Sequence, residues 1–302
     1  MMSLSSSVSS SPAEIDTLYI SDLDGTLLGS DSLVSAESRR LLNEAISAGA
    51  AFTVATARTP ATVAPLLAGV DMRLPAVVMT GAALWNPSTG LYSDVRHIDP
   101  ETVDALLRIY EQEGLPTFVY ILSDSDTRSH IDIRHLGPLS PQEREFMEMR
   151  EGSPYKSFHI LPGAGESVAT LPTSDVILLF AMQEEEPVSR VAQRIERAHL
   201  PCVALHYHDT YGPESELMEV FGPGATKGEA ISRLRRLTGA RRVVVFGDNV
   251  NDLPMMREAD VAVAVEGAVE EVKAQADIVI GPNVSDSVAR FIHRDFFRHS
   301  SE

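Results

Sequence analysis

The stretch Leu18-Tyr19-Ile20-Ser21-Asp22-Leu23-Asp24-Gly25-Thr26-Leu27-Leu28 ends an apolar run in two carboxylates, a glycine and a hydroxyl. A buried strand delivers acids into a site in this way. Residues at i and i+2 of a strand share a face, so Asp22 and Asp24 are expected to address one reacting group. Gly25 permits a turn that a side chain would obstruct. Taken alone, D-x-D-G is equally an aspartate-rich turn. It is not an EF-hand, because the later oxygen ligands and the closing glutamate of that loop are missing.

Four more residues carry reactive types. Thr56 ends the short apolar run Ala51 to Thr56, and Lys227 sits in Gly222-Pro223-Gly224-Ala225-Thr226-Lys227-Gly228, a glycine-rich loop running into a helix. Asp248 and Asp252 lie in Gly247-Asp248-Asn249-Val250-Asn251-Asp252, directly after the apolar run Arg242 to Phe246. Together these types suit phosphoryl transfer. A carboxylate beside a divalent cation stays ionised and attacks phosphorus, and water cleaves the resulting acyl phosphate. A second carboxylate protonates the leaving alcohol and then deprotonates the water. A lysine and a hydroxyl hold the equatorial oxygens, where transition-state charge is spread. Enzymes accelerate phosphate monoester hydrolysis by up to ~10²¹-fold, roughly 28 kcal/mol at about 1.36 kcal/mol per decade. No single residue supplies that, so a cluster is required.

The elements that must position these groups follow from periodicity. Helical spacing runs from Ser35 to Ala48 and again over Pro60 to Leu67, and a third strand is expected over Pro75 to Thr80. Strand, helix, strand, helix, strand starts a right-handed parallel sheet. The pattern then changes to a hairpin about Asn86-Pro87-Ser88-Thr89-Gly90, a helix opened by Asp99-Pro100-Glu101, strands at Thr117 to Leu122 and near His130 to Arg134, and a helix over Pro141 to Arg150. Strands over Asp175 to Met182, Cys202 to His208 and Glu216 to Phe221, with a helix marked by Val188, Val191 and Ile195, complete this middle region. From Gly222 the parallel pattern resumes to the closing helix Ser285 to Phe297. The expected class is α/β, a doubly wound parallel-sheet core over 13–82 and 222–302 with an inserted α+β domain over 83–221, and 1–12 as a disordered serine-rich tail. Asp22, Thr56 and Asp248 then fall at carboxyl ends of parallel strands, where open α/β sheets bind ligands.

Composition limits the partners. The chain has 302 residues and a formal net charge of -18, with 43 acidic against 25 basic residues. That balance argues against general affinity for nucleic acid or anionic membrane, so an anionic ligand needs a local cation, lysine and N–H groups. Cys202 is the single cysteine, so no internal disulfide forms. No apolar run reaches the ~18 residues of a membrane span, and the N-terminus lacks the basic and apolar regions of a secretory signal. A cytoplasmic protein is expected.

These motifs resemble those of haloacid dehalogenase (HAD) superfamily phosphatases, specifically the Cof-type group with a large C2-type cap after the third core strand. Asp22-Leu23-Asp24-Gly25-Thr26-Leu27-Leu28 is similar to the first family motif, Thr56 to the second, Lys227-Gly228 to the third and Gly247 to Asp252 to the fourth. Thr80-Gly81-Ala82 resembles the N-G-A that introduces the cap. The resemblance implies Mg2+-dependent hydrolysis of a small phosphorylated metabolite, a sugar phosphate or phosphorylated cofactor, through a phospho-aspartyl intermediate, with a cap that closes over the site. It implies Asp22 as nucleophile and metal ligand, Asp24 as general acid/base offering its carbonyl to the metal, and Asp248 as the other metal carboxylate. Asp252 is implied to support the metal shell or Lys227, while Thr56, the N–H of Ala57, Lys227 and Asn251 bind phosphate. The chain departs from the pattern at Ala57 and Thr80, where glycine and asparagine are usual, and at Glu266-Gly267-Ala268, where an asparagine commonly precedes the alanine.

Two alternatives stay open: a phosphomutase or phosphotransferase using the same aspartyl chemistry, and a non-catalytic phospho-acceptor module, since receiver domains also combine aspartates, a threonine and a lysine on such a sheet. His206 and His208 alternate on one strand face without a third ligand at supporting spacing, and are more simply cap-surface or substrate-facing residues. Asp124 and Asp126 read as a solvated turn, and Glu184-Glu185-Glu186 as a helix start.

Overall fold

The computed structural model describes residues 15–123, 130–161, 171–208 and 215–299. The serine-rich tail and the Asp124/Asp126 turn lie outside the described residues.

The first third builds β1 (Thr17–Ser21), α1 (Ala36–Ser47), β2 (Ala51–Val54), α2 (Pro60–Leu66) and the short strands β3 (Ala76–Val78), β4 (Ala83–Trp85) and β5 (Tyr92–Ser93). All five residues of β1 are buried, as suits a strand covered on both faces. Helix α1 starts at Ser35, whose hydroxyl accepts the Ser38 N–H at 2.9 Å. The middle third contains α3 (Pro100–Glu113), β6 (Thr117–Ile121), β7 (Ile131–Leu136), α4 (Pro141–Glu148), β8 (Lys156–Leu161), β9 (Val176–Gln183), α5 (Glu185–Ala198), β10 (Val203–His208) and β11 (Glu216–Phe221). The last third contains α6 (Lys227–Thr238), β12 (Arg242–Gly247), α7 (Leu253–Glu258), β13 (Val261–Val265), α8 (Glu270–Gln275), β14 (Ile278–Ile280) and α9 (Ser287–His299).

The core sheet is parallel, in the order β14-β13-β12-β1-β2. From β1 the chain winds one way to β2, and from β12 the other way to β13 and β14. Right-handed crossovers therefore place α1 and α7 on opposite faces. Helix α9 packs on α1, and α6 packs on α7, so the sheet is doubly wound. The winding reverses between β1 and β12.

The third strand departs from expectation. Instead of extending the parallel ladder, β3 pairs antiparallel with β4 in a small sheet with β5, and meets the core sheet through one parallel bridge, Ala55 to Val77. Pro75 has no N–H to give a ladder, and its carbonyl accepts the Thr53 hydroxyl at 2.7 Å. The chain then turns at Met79 and Thr80, whose φ angles are 50° and 57°.

The inserted six-stranded sheet has the order β10-β11-β9-β6-β7-β8, antiparallel except for β7 with β8. Strand β8 was not expected; it is an edge strand with Ile160 exposed and Phe158 and Leu161 only partly covered. Alternation gives this sheet two different faces. Val119, Ile121, Leu179, Ala181, Met218 and Val220 pack with α3 and α5 in a core of their own. The opposite face, including Phe118, Tyr120, Leu178, Phe180 and Phe221, joins the hydrophobic core of the parallel domain. Where the two connecting segments pass, a Cβ on Gly222 would lie 2.5 Å from the His97 carbonyl oxygen, so only glycine fits.

Candidate active site

Strands β1 and β12 pair in register from Thr17 with Arg242 to Ser21 with Phe246, so Asp22 and Asp248 emerge side by side at the reversal of winding. The Asp22 N–H donates to the Phe246 carbonyl at 2.9 Å, carrying the pairing one residue past the strand. Carboxylate oxygens of Asp22, Asp248 and Asp252 lie within 4.8 Å of one another. Lys227, at the first turn of α6, is fully buried among them and donates to Asp22 Oδ1 at 2.5 Å and Asp252 Oδ1 at 2.7 Å. The other oxygen of Asp252 accepts the N–H groups of Asp248 at 2.9 Å and Asn249 at 3.1 Å. Asp252 thus clamps the turn that presents Asp248 and orients the lysine, and both of its oxygens are committed to those bonds. The Thr26 hydroxyl donates to Asp248 Oδ1 at 2.8 Å.

Asp22 and Asp24 do not share a strand face. Strand β1 ends at Ser21, and residues 23–27 coil into a wide turn closed by the Leu28 N–H on the Leu23 carbonyl at 2.9 Å, with Gly25 at φ 75°. The coil directs Asp22 to Lys227 and Asp24 elsewhere: both Asp24 oxygens accept from Arg58, Nε and Nη2 each at 2.6 Å. Arg58 is a site residue that the sequence reading passed over; its signal was its place two residues after Thr56. Thr56 is buried beside β1, held by its N–H on the Val77 carbonyl at 3.0 Å, and its hydroxyl accepts the Arg58 N–H at 3.2 Å. The Ala57 N–H has no partner among the described residues. Asn251 lies in the same turn as Asp252 but is exposed, and its side chain makes no hydrogen bond among the described residues. Thr80, where asparagine is usual in the resembling family, sits in the left-handed region with its N–H on the Thr56 carbonyl at 3.0 Å. Asparagine tolerates that region better than a β-branched residue, which gives the usual choice a physical basis.

Burial pushes the Asp22 carboxyl well above its ordinary range, the Lys227 ammonium opposes this, and the charges of Asp252 and Asp248 add to it. Burial also raises Asp248, to about 6, against the hydrogen bond from Thr26. Lys227 loses solvation too, but its two carboxylates outweigh that loss and hold the ammonium above its usual range. Three carboxylates around one ammonium leave an excess of negative charge that calls for a cation. The donors are all hard oxygens, which suit Mg2+. Space is also reserved there: a Cβ on Gly25 would lie 2.3 Å from Asp248 Oδ2. The residues present therefore fit a divalent cation held by Asp22 and Asp248.

His206 and His208 lie on β10 with their Nδ1 atoms 3.4 Å and 2.7 Å from the oxygens of Glu216. The register sets them on the sheet face opposite Glu219, away from the parallel domain, so they are surface residues and not substrate-facing ones.

An acid cluster around a buried lysine, at the winding reversal of a doubly wound sheet that carries an inserted domain, defines an α/β class with its site at the strand ends. The model of the haloacid dehalogenase-like hydrolases matches residues 19–292. The chain is 26% identical over 292 residues to the 5-amino-6-(5-phospho-D-ribitylamino)uracil phosphatase YwtE of Bacillus subtilis, covering 90% of this chain and 95% of that one. It is 25% identical over 284 residues to the pyridoxal phosphate phosphatase YbhA of Escherichia coli, covering 90% and 96%. Among solved structures, TM0651 from Thermotoga maritima shares the fold with a TM-score of 0.72 at 23% identity, over 93% of this chain and 97% of that one. The chain belongs to the haloacid dehalogenase-like hydrolases, as a phosphatase of the Cof-type group. Among the described residues no helix is long and apolar enough to cross a membrane.

Proposed function

We propose that this phosphatase hydrolyses a small phosphate monoester by a two-step displacement on Asp22, with Mg2+ held between Asp22 and Asp248. An Asp22 oxygen attacks phosphorus, the bond from phosphorus to the alcohol oxygen breaks, and Asp24 gives that oxygen its proton. Asp24 then takes a proton from water, the water oxygen attacks the phosphoryl group, and inorganic phosphate leaves with Asp22 restored. Asp22 and Asp248 would hold the Mg2+, which when bound would neutralise charge on the phosphoryl oxygens. Lys227, Thr56 and the Ala57 N–H hold those oxygens, and Asp252 keeps Lys227 and the Asp248 turn in place. In this resting arrangement Arg58 holds Asp24 by both oxygens, so it sets the acid's orientation at the mouth of the site. Relatives named for pyridoxal phosphate and for a phosphoribityl compound support sugar phosphates or phosphorylated cofactors as the substrate class.

The observation that carries this reading is the buried Asp22, bonded to Lys227 at 2.5 Å and clustered with Asp248 at the carboxyl ends of adjacent parallel strands. The test is turnover of p-nitrophenyl phosphate. Hydrolysis is expected with Mg2+, and it is expected to disappear with EDTA and in Asp22→Asn, a loss of at least ~10⁴-fold on the scale of removing a catalytic nucleophile. Full activity in D22N would refute the mechanism.

A further inference from the structure

The sheet face turned toward the parallel domain carries polar groups as well as the aromatic residues that pack there. Lys156 opens β8 on this face and is 6% exposed. Its ammonium has no carboxylate and no hydrogen-bond acceptor among the described residues; its one recorded contact is the ring of Phe158, 5.5 Å away. Arg150, in the loop after α4, lies over the Phe146 ring at 3.9 Å and donates to the Phe146 carbonyl at 3.0 Å, again with no carboxylate partner among the described residues. The Phe146 and Phe158 rings meet edge-on at 6.4 Å, so the two cations lie on neighbouring rings, and one of the two side chains is buried, which is a costly arrangement. It is the more unexpected in a chain where 43 acidic residues outnumber 25 basic ones.

Electrostatics confirms the isolation. Burial first and the Arg150 charge second lower Lys156 to about 8, and no carboxylate opposes them. Arg150 in turn feels Tyr120 on β6 and, across the seam, Arg58 of the parallel domain. Arg58 is the residue that grips Asp24. The remaining charged and titratable groups on this face are accounted for elsewhere: Glu219 interacts with Tyr207 and Lys227, and His135 and Glu143 lie 3.4 Å from each other. Tyr155, preceding Lys156, meets Trp85 of the small core sheet edge-on at 6.0 Å, which fixes this end of the inserted sheet against the parallel domain.

We propose that Lys156 and Arg150 form a subsite for a second anionic group, a carboxylate or a second phosphate, on the alcohol part of the substrate. The inference rests on the mechanism above, because Asp24, as the acid for the leaving oxygen, marks the side on which the alcohol lies. Arg58, which holds that acid, is within the field of Arg150, the Phe146–Phe158 ring pair relates Arg150 to Lys156, and Tyr155 packs the start of β8 against Trp85 of the parallel domain. An anion settling there would give the Lys156 ammonium the partner it lacks among the described residues, and a charge-assisted pair formed in so closed a setting discriminates strongly against an uncharged analogue.

The experiment compares kcat/KM for matched pairs: 6-phosphogluconate against sorbitol 6-phosphate for a carboxylate, and fructose 1,6-bisphosphate against fructose 6-phosphate for a second phosphate. At least one pair is expected to favour the anion-bearing member tenfold or more. That ratio is expected to fall below threefold in K156M and to return in K156R. R150M, altered outside the sheet, is expected to lower the same ratio and covers the case in which K156M does not fold. Ratios near one for both pairs, or unchanged ratios in both variants, overturn the proposal. Binding of the same compounds to D22N, measured by calorimetry, reads the subsite without turnover. A preference there, while the wild-type protein cleaves none of them, nor p-nitrophenyl phosphate, would refute the hydrolytic mechanism and leave the subsite standing. Equal binding would refute the subsite alone.

Discussion

At Gly25 two constraints coincide: a left-handed φ of 75° and the Asp248 carboxylate 2.3 Å from where a Cβ would be. The first costs an alanine roughly 1–2 kcal/mol. The second cannot be relieved without moving Asp248 or the coil that carries Asp24. Gly25→Ala is therefore expected to lower kcat for p-nitrophenyl phosphate by about 10²-fold, the scale of a ~1 Å misplacement. Its Tm is expected to fall by only a few degrees. Near-normal kcat would show that the Asp248 carboxylate has freedom that the geometry denies it. Asp252 illustrates the opposite situation, in which a residue that looks like one more acid in a motif is committed through both oxygens to the lysine and the turn.

At the scale of the element, strand alternation decides which groups of the inserted sheet face the parallel domain. Glu219 on β11 faces the parallel domain, while its neighbours Met218 and Val220 enter the core of the inserted domain. Burial lifts its carboxyl from an ordinary 4.5 to about 7, against the hydrogen bond from Tyr207 and the field of Lys227. In the unfolded chain it ionises near 4.5; in the folded chain it holds its proton to about 7. The folded state is therefore destabilised progressively from pH 4.5 to 7, and fully above that, by an amount of roughly 3 kcal/mol at about 1.4 kcal/mol per tenfold. Glu219→Gln is expected to raise Tm by several degrees at pH 8 and hardly at all at pH 5. A gain independent of pH would show that Glu219 is not desolvated in the folded protein.

On the scale of the whole molecule, the reversal of winding between β1 and β12 brings together residues more than 200 positions apart, such as Asp22 and Lys227. The three carboxylates of Asp22, Asp248 and Asp252 outnumber the one ammonium of Lys227 only once the chain is folded, so a divalent cation is expected to bind the folded site and not the unfolded chain. Mg2+ at about 100 times its Kd is then expected to stabilise the protein by about 2.7 kcal/mol, raising Tm by several degrees. Asp248→Asn is expected to remove most of that increase. A Tm in wild type that does not respond to Mg2+ would exclude the cation site, whatever the activity measurements give.

Much of this was legible in order along the chain. The apolar runs ending in Asp22, Thr56 and Asp248, the glycine-rich approach to Lys227 and the change of pattern in the middle third are local features. Local periodicity follows from side-chain geometry that every strand or helix shares. By itself the sequence determined a parallel α/β core with an antiparallel insertion, and the placing of Asp22, Thr56 and Asp248 at the carboxyl ends of core strands. Only the tertiary structure decided that Asp24 faces Arg58, that Asp252 is spent on Lys227 and two N–H groups, that β3 leaves the parallel ladder, and that Lys156 and Arg150 stand without carboxylates among the described residues. Those facts depend on which buried charge lies within reach of which other, and such distances are set by packing between segments far apart in the chain.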